Sequence, residues 1–232
     1  AGPPATAFIW PEAAERDEPA TWAVLRYGLP SYSPPAVRNL TSLLIREGEG
    51  GAMVPDAAVG GTISNQCPGD SYHIWNVWGN RNYAGENSAL IQNQADIADW
   101  PCFSKYYLTF PLDRLSPGKV IRSARLVLHH WGGSGNICVN PTDEDNRDDN
   151  KKCALDSFIQ ILTIVNFWQE NTITWNNAPL AFENVAVLLV PPYNITQPGQ
   201  GWPGARREWD VSYALAKAYD QGAGWISFAV YS

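Results

Sequence analysis

Three histidines, His73, His129 and His130, and 23 Asp and Glu residues are the groups of this 232-residue chain that could move protons or hold a metal. The histidine pair belongs to a strand-like run, "SARLVLHHW" (123–131), in which neighbouring side chains point to opposite faces, so the two rings cannot close on one ion without distortion. No G-x-S-x-G, H-E-x-x-H or Cys-His constellation accompanies them. With so many carboxylates some pair always lies at a glycosidase-like separation, so carboxylate number selects no acid–base couple. No catalytic residue is expected. For a hard cation, "TDEDNRDDN" (142–150) concentrates carboxylate oxygens, with Asp143, Asp145 and Asp148 the candidate calcium ligands beside Glu144 and Asp149. It lacks the glycine and the spacing of an EF-hand loop. The plainer reading is a solvated acidic loop balanced by Arg147, Lys151 and Lys152, and calcium is the one cofactor the chain could take.

Aromatic residues offer a different chemistry. A sugar is held when a ring packs on its apolar C–H face while amides and charged groups take its hydroxyls. Trp75, Trp78, Arg81 and Tyr83, with Asn80 and Asn82 between them, could form such a platform, unless Trp75 and Trp78 simply cap the core. The stretch "TIVNFWQENTITWNNAPLAF" (163–182) poses the same choice, between the floor of a binding site and the corner of a β-sandwich.

Composition narrows the field. The chain carries 11 Trp, 10 Tyr, 19 Gly and 18 Pro but one Met, and its net charge is −7 with no basic stripe, so nucleic acid is excluded as a partner. No run reaches the 18 or more apolar residues of a membrane-spanning helix. The start at Ala1 is expected to be a mature terminus left after removal of a signal peptide. Cys67, Cys102, Cys138 and Cys153 lack zinc-ligand spacing and are expected to form two disulfides outside the cytosol. Pairing Cys138 with Cys153 would close the acidic loop and leave Cys67 for Cys102, with two other connectivities open. The sequons at Asn39 and Asn194 fit an extracellular location but are near chance in number.

The elements that must position these groups are strands. "YYLTFPL" (106–112), "SARLVLHHW" (123–131), "FIQILTIVNF" (158–167), "NVAVLLV" (184–190) and "WISFAVYS" (225–232) are short β-rich runs separated by turn clusters. In the second, Ala124, Leu126, Leu128 and His130 face one way and Arg125, Val127 and His129 the other. "SYALAKAYDQG" (212–222) predicts the one helix, with Ser212 as its cap and Gly222 as its stop. The expected fold is all-β: an antiparallel β-sandwich or jelly roll with one short helix and an extended N-terminal arm.

"KYYLTFPLDRLSPGKVIRSARLVLHHW", then "FWQENTITWNNAP", then "EWDVSYALAKA" and "GWISFAVYS" resemble the DNRLRE domain family, which is related to disaggregatase-associated domains and to a carbohydrate-binding module family that includes alginate binders. "DSYHIWNVWGNRNYAGENSALI" is similar to its opening strand, with Ala84 inserted before Gly85. The likeness covers about 70–232 and implies an extracellular, non-catalytic β-sandwich in which the 168–179 stretch is a structural signature. Trp168 and Trp175 would then cover the sandwich, with Asn176, Asn177 and Pro179 making its turn.

Residues 1–69 have no counterpart in that family and read as an arm with strand-like pieces, "TWAVLRYGL" (21–29) and "LTSLLI" (40–45). In the first, Ala23, Leu25, Tyr27 and Leu29 alternate with Trp22, Val24 and Arg26, as in an inserted strand. Ordering an arm costs about 1–2 kcal/mol per residue, so something must grip it, either its own sandwich or a neighbouring copy. Donation to a neighbour's sheet edge gives a homopolymer such as a fibre or surface layer, with Trp22, Val24, Leu25 and Tyr27 as contacts. The alternative is a polysaccharide-binding module for an acidic glycan such as alginate, acting through Trp75, Trp78, Arg81 and Tyr83. A polysaccharide-degrading enzyme is a distant third.

Overall fold

The computed structural model describes residues 40–60, 76–86, 89, 91, 104–132, 156–193 and 201–232. The four cysteines, the acidic loop with Asp143, Asp145 and Asp148, the arm residues Trp22, Val24, Leu25 and Tyr27, and Trp75 lie outside these residues. The described residues 43–60, on the arm side of the boundary expected near residue 70, fall in the same compact unit as the strands that follow. Among the described residues seven strands and one α-helix run in the order β1 (Asp56–Gly60), β2 (Ser104–Pro111), β3 (Arg125–His130), β4 (Ser157–Ile164), β5 (Glu183–Val190), β6 (Ala205–Asp210), α1 (Ser212–Asp220) and β7 (Trp225–Tyr231). The fold is all-β. One antiparallel sheet has the order β1-β2-β7-β4-β5, and β3 pairs with β6 in a second.

The larger sheet is covered on both faces. One face packs Leu108, Ile161, Phe228 and Val230 against Leu126 and Trp209 of the second sheet and Ala214 of α1. Trp209 is anchored as well as buried, its indole Nε1 donating to the Ile159 carbonyl at 3.1 Å. The opposite face gathers Ala57, Val59, Tyr107 and Ala229 under Ile164, Trp168 and Ile173. This two-sided cover explains β7, in which five consecutive residues, Ile226 to Val230, are buried. Period-two alternation survives only where one face meets water. In β3 it does: Leu126 is buried, Arg125 and His129 are exposed, and His130 is half-buried.

Four features differ from expectation. "LTSLLI" forms no strand, and Leu40, Leu43 and Leu44 are exposed. β1 and β6 were not expected, because "DAAVG" is too small in its side chains and "ARREWD" too charged to read as strands. Ser212 does not cap α1; Val211 holds the cap position without a side-chain bond. The Ser212 hydroxyl instead accepts the Ala124 N–H at 2.9 Å and donates to Asp210 Oδ1 at 2.5 Å, tying the helix start to the entry of β3. Gly222 does stop the helix, with φ of 69° and its N–H on the Tyr219 carbonyl.

Ile161 has no accessible surface at the centre of the shared core. Ile161→Ala should lower the unfolding free energy by about 2–5 kcal/mol in a urea titration. A loss below 1 kcal/mol would mean that the two sheets do not share this core.

Candidate functional site

The chain leaves β4 at Ile164 and returns in β5, and the connection between them is the tryptophan-rich stretch. Its backbone is closed by local bonds. The Thr172 and Ile173 N–H groups both donate to the Gln169 carbonyl, and the Ala178 N–H donates to the Thr174 carbonyl at 2.9 Å. Asn177 works in both directions, accepting the Thr174 N–H at 2.7 Å and donating to the Thr172 carbonyl at 2.9 Å. Asparagine suits such a place because its short amide reaches the backbone two to five residues away. The rings then lie down on the sheet. Trp168 is buried and meets Tyr107 edge to face at 5.9 Å, while the Tyr107 hydroxyl donates to the Pro179 carbonyl at 3.0 Å.

The same corner holds the segment expected to bind sugar. Asn82 Nδ2 donates to the carbonyls of Glu170 and Ile173 at 2.7 and 2.6 Å, and Asn82 Oδ1 accepts the Ala84 N–H. Asn176 adds two more bonds, from its N–H to the Gly79 carbonyl and from Nδ2 to Asn80 Oδ1, each 3.0 Å. Trp78 opens a turn of 3-10 helix, Trp78–Asn80. Arg81 is exposed and stacks with its guanidinium carbon 5.0 Å from the centre of the Tyr83 ring. Tyr83 itself bridges Ala58 of β1 and is 4% exposed. Its ring faces the sheet, so it cannot offer a sugar platform. Burial raises the pKa of its hydroxyl, the Arg81 charge opposing and Glu86 adding to the effect.

Titratable groups cluster along the seam between the corner and β1. The Tyr106 hydroxyl donates to Asp56 Oδ2, and burial first and the Asp56 carboxylate second push the hydroxyl far above its usual pKa, so it stays protonated. The Glu170 carboxyl is also raised, by partial burial and then by Asp56, with a backbone N–H at Asp56 opposing and Glu47 adding a little. A raised carboxyl beside a second carboxylate is the electrostatic requirement for acid–base work. Here the Asp56 carboxylate is already engaged, accepting a hydrogen bond from the Tyr106 hydroxyl. The described groove is elsewhere: about 180 Å³, lined by Val59, Lys105, Tyr107, Trp175, Ala178, Pro179 and Leu180. That is below the roughly 300–1,000 Å³ usual for a small-molecule site. Lys105 Nζ sits between two rings, 4.5 Å from Trp175 and 4.4 Å from Tyr231, so its charge is already shared. Among the described residues no three His, Cys, Asp or Glu side chains converge as a metal site.

Two further exposed tryptophans lie at the far end of the β3–β6 pair, and neither is singled out by the sequence. Trp131 and Trp202 are 41% and 76% exposed. Trp131 continues the outward series of β3, a legible signal, while Trp202 sits in "GWPG", whose turn chemistry hid its ring. Behind them the His130 and Tyr193 rings meet at 6.0 Å. Burial lowers the pKa of His130, a hydrogen bond with Gly132 opposes the shift, and the Arg207 charge adds to it.

No protein-family model matches the chain, and no curated protein matches it.

Two measurements bear on these contacts. Asn82→Ala leaves two backbone carbonyls without their donor, each worth about 1–3 kcal/mol, so its thermal midpoint should fall clearly while Arg81→Ala, at the surface, changes it little. The His130 pKa is lowered on folding, so its contribution to stability is complete above the unfolded value of about 6.5 and is lost as pH falls through the folded value. The wild-type midpoint should therefore drop from pH 7 toward pH 5 more steeply than that of His130→Gln, and parallel curves would remove His130 from the account.

Proposed function

We propose that the chain is a non-catalytic extracellular structural subunit with a β-sandwich of the DNRLRE type, which assembles by donating its N-terminal strand to a neighbouring copy. The supporting observation is the free side of β5. Among the described strands β5 pairs only with β4, whereas the outer edge of β1 is bridged by Tyr83. Over "ENVAVLLV" β5 carries no Lys, Arg or Pro, the residues that commonly guard an open edge. Val187 and Leu189 are about half exposed, and Phe158, opposite Leu189 on β4, is exposed too. An unguarded edge with an apolar face is a template for another strand.

The donor is the alternating segment 21–29, which would supply backbone hydrogen bonds along β5 and the apolar contacts of Trp22, Val24, Leu25 and Tyr27. Donor and acceptor are different surfaces, so repetition gives an open, head-to-tail polymer. β6 comes near β5 without a ladder, Arg207 Nη2 donating to the Pro191 carbonyl just beyond the strand, so an incoming strand would extend the sheet past β5 alongside that contact.

Light scattering tests the reading. The full chain should have a mass of several copies, and deletion of residues 1–38 should reduce it to one. Val187→Lys with Leu189→Lys should do the same in the full chain without lowering its melting temperature by more than a few degrees, because both side chains are at the surface. Assembly that survives both changes would refute strand donation at β5.

A further inference from the structure

The outer face of the β3–β6 pair is independent of that edge. Alternation puts Arg125, Val127 and His129 on it from β3, and the register sets Asp210, Glu208 and Arg206 opposite them. Arg125, His129, Arg206, Glu208 and Asp210 are all exposed. Trp131 follows β3 directly, and Gly204, just before β6, lies against it. A Cβ at Gly204, where φ is +96°, would lie 2.5 Å from the His130 oxygen and 3.0 Å from the Trp131 Cα. The glycine therefore lets the 201–204 turn press against the end of β3 beside the Trp131 ring.

That turn is held firmly. The Gly204 N–H donates to the Gly201 carbonyl at 2.9 Å, and the Tyr193 hydroxyl binds Gly201 twice, accepting its N–H and donating to its carbonyl, both at 3.1 Å. Trp202 is carried on this braced turn with three quarters of its surface in water. A large apolar ring kept exposed on a braced turn suits binding, since the backbone beneath it needs no ordering on contact.

The polar groups beyond the rings decide the ligand. Arg125 is paired with Asp210, and Arg206 Nε with Glu208 Oε1 at 2.8 Å, so the strip is electrically balanced and offers donors and acceptors in alternation. On a chain of net charge −7, a strip whose two arginines are already matched offers a polyanion no unpaired arginine. Hydroxyls, which donate and accept, fit ion pairs of this kind. We propose that Trp131 and Trp202, continued by His129, Arg206 and Glu208, form a binding face for a neutral, hydroxyl-rich polysaccharide, with the rings packing on sugar C–H faces and the ion-paired strip taking hydroxyls.

Affinity electrophoresis of the full chain tests this, with gels containing soluble neutral glycans (a mixed-linkage β-glucan, a xylan, a galactomannan) or alginate. At least one neutral glycan should retard the protein and alginate should not. Trp202→Ala should weaken that retardation at least tenfold with an unchanged melting temperature. Trp131→Ala should do the same, and because Trp202 is so exposed its variant carries the test even if Trp131→Ala unfolds. Retardation by alginate alone, by no glycan, or undiminished in Trp202→Ala would overturn the proposal. The light-scattering mass of Trp202→Ala separates this face from the assembly edge: an unchanged mass with lost retardation supports a glycan site, whereas a lost mass with retained retardation would give the face to a second copy and overturn it.

Discussion

The structure depends on covering a five-stranded sheet on both sides. β7 lies at its centre, and a strand whose side chains are buried in both directions tolerates water on neither face. One cover is conventional, the β3–β6 pair and α1 meeting the sheet through Trp209 and Leu126. The other is a loop. A connection can serve as a lid only if its own polar backbone is satisfied, and the Asn177, Asn82 and Asn176 amides do this while Trp168 and Ile173 fill the space beneath. The tryptophan-rich stretch is a corner that closes a core, and its glutamate belongs to the seam that joins it to β1.

That constraint also explains what the sequence made legible. β2, β3, β4, β5, β7 and α1 could be read because each has an apolar run bounded by turn residues. β1 could not, because Ala57 and Ala58 are small where the bulky Tyr107 and Tyr83 crowd onto them, and a strand of small residues has no hydropathic signature. β6 was hidden by its outward charges: Arg206, Glu208 and Asp210 alternate with one large apolar anchor, Trp209. Tyr83 could not be assigned a side from spacing, since its burial follows from a single bridge to a strand 25 positions earlier. Trp202 was obscured for the opposite reason, a glycine-proline turn being normally a place where side chains do little.

The two surfaces proposed for function differ in what they leave unsatisfied. Along β5 it is the backbone whose outward donors and acceptors have no ladder among the described residues, beside an apolar face, and another strand meets both needs. On the outer face of β3–β6 the arginines are matched by carboxylates, and beyond that strip aromatic area is exposed. A subunit with one surface for its own kind and another for sugar would be suited to a matrix outside the cell.

The position of β7 has a consequence for biosynthesis. Of the five strands of this sheet it is the last to be translated, yet it joins β1-β2 on one side to β4-β5 on the other, so neither half has its central neighbour while the ribosome is still making the helix before it. The sheet must close in one late event, over contacts far apart in the chain, which is a slow kind of search. Until then β2 and β4 are bare edges in a crowded compartment, and a nascent chain of this design needs shielding from its neighbours until the sheet has closed.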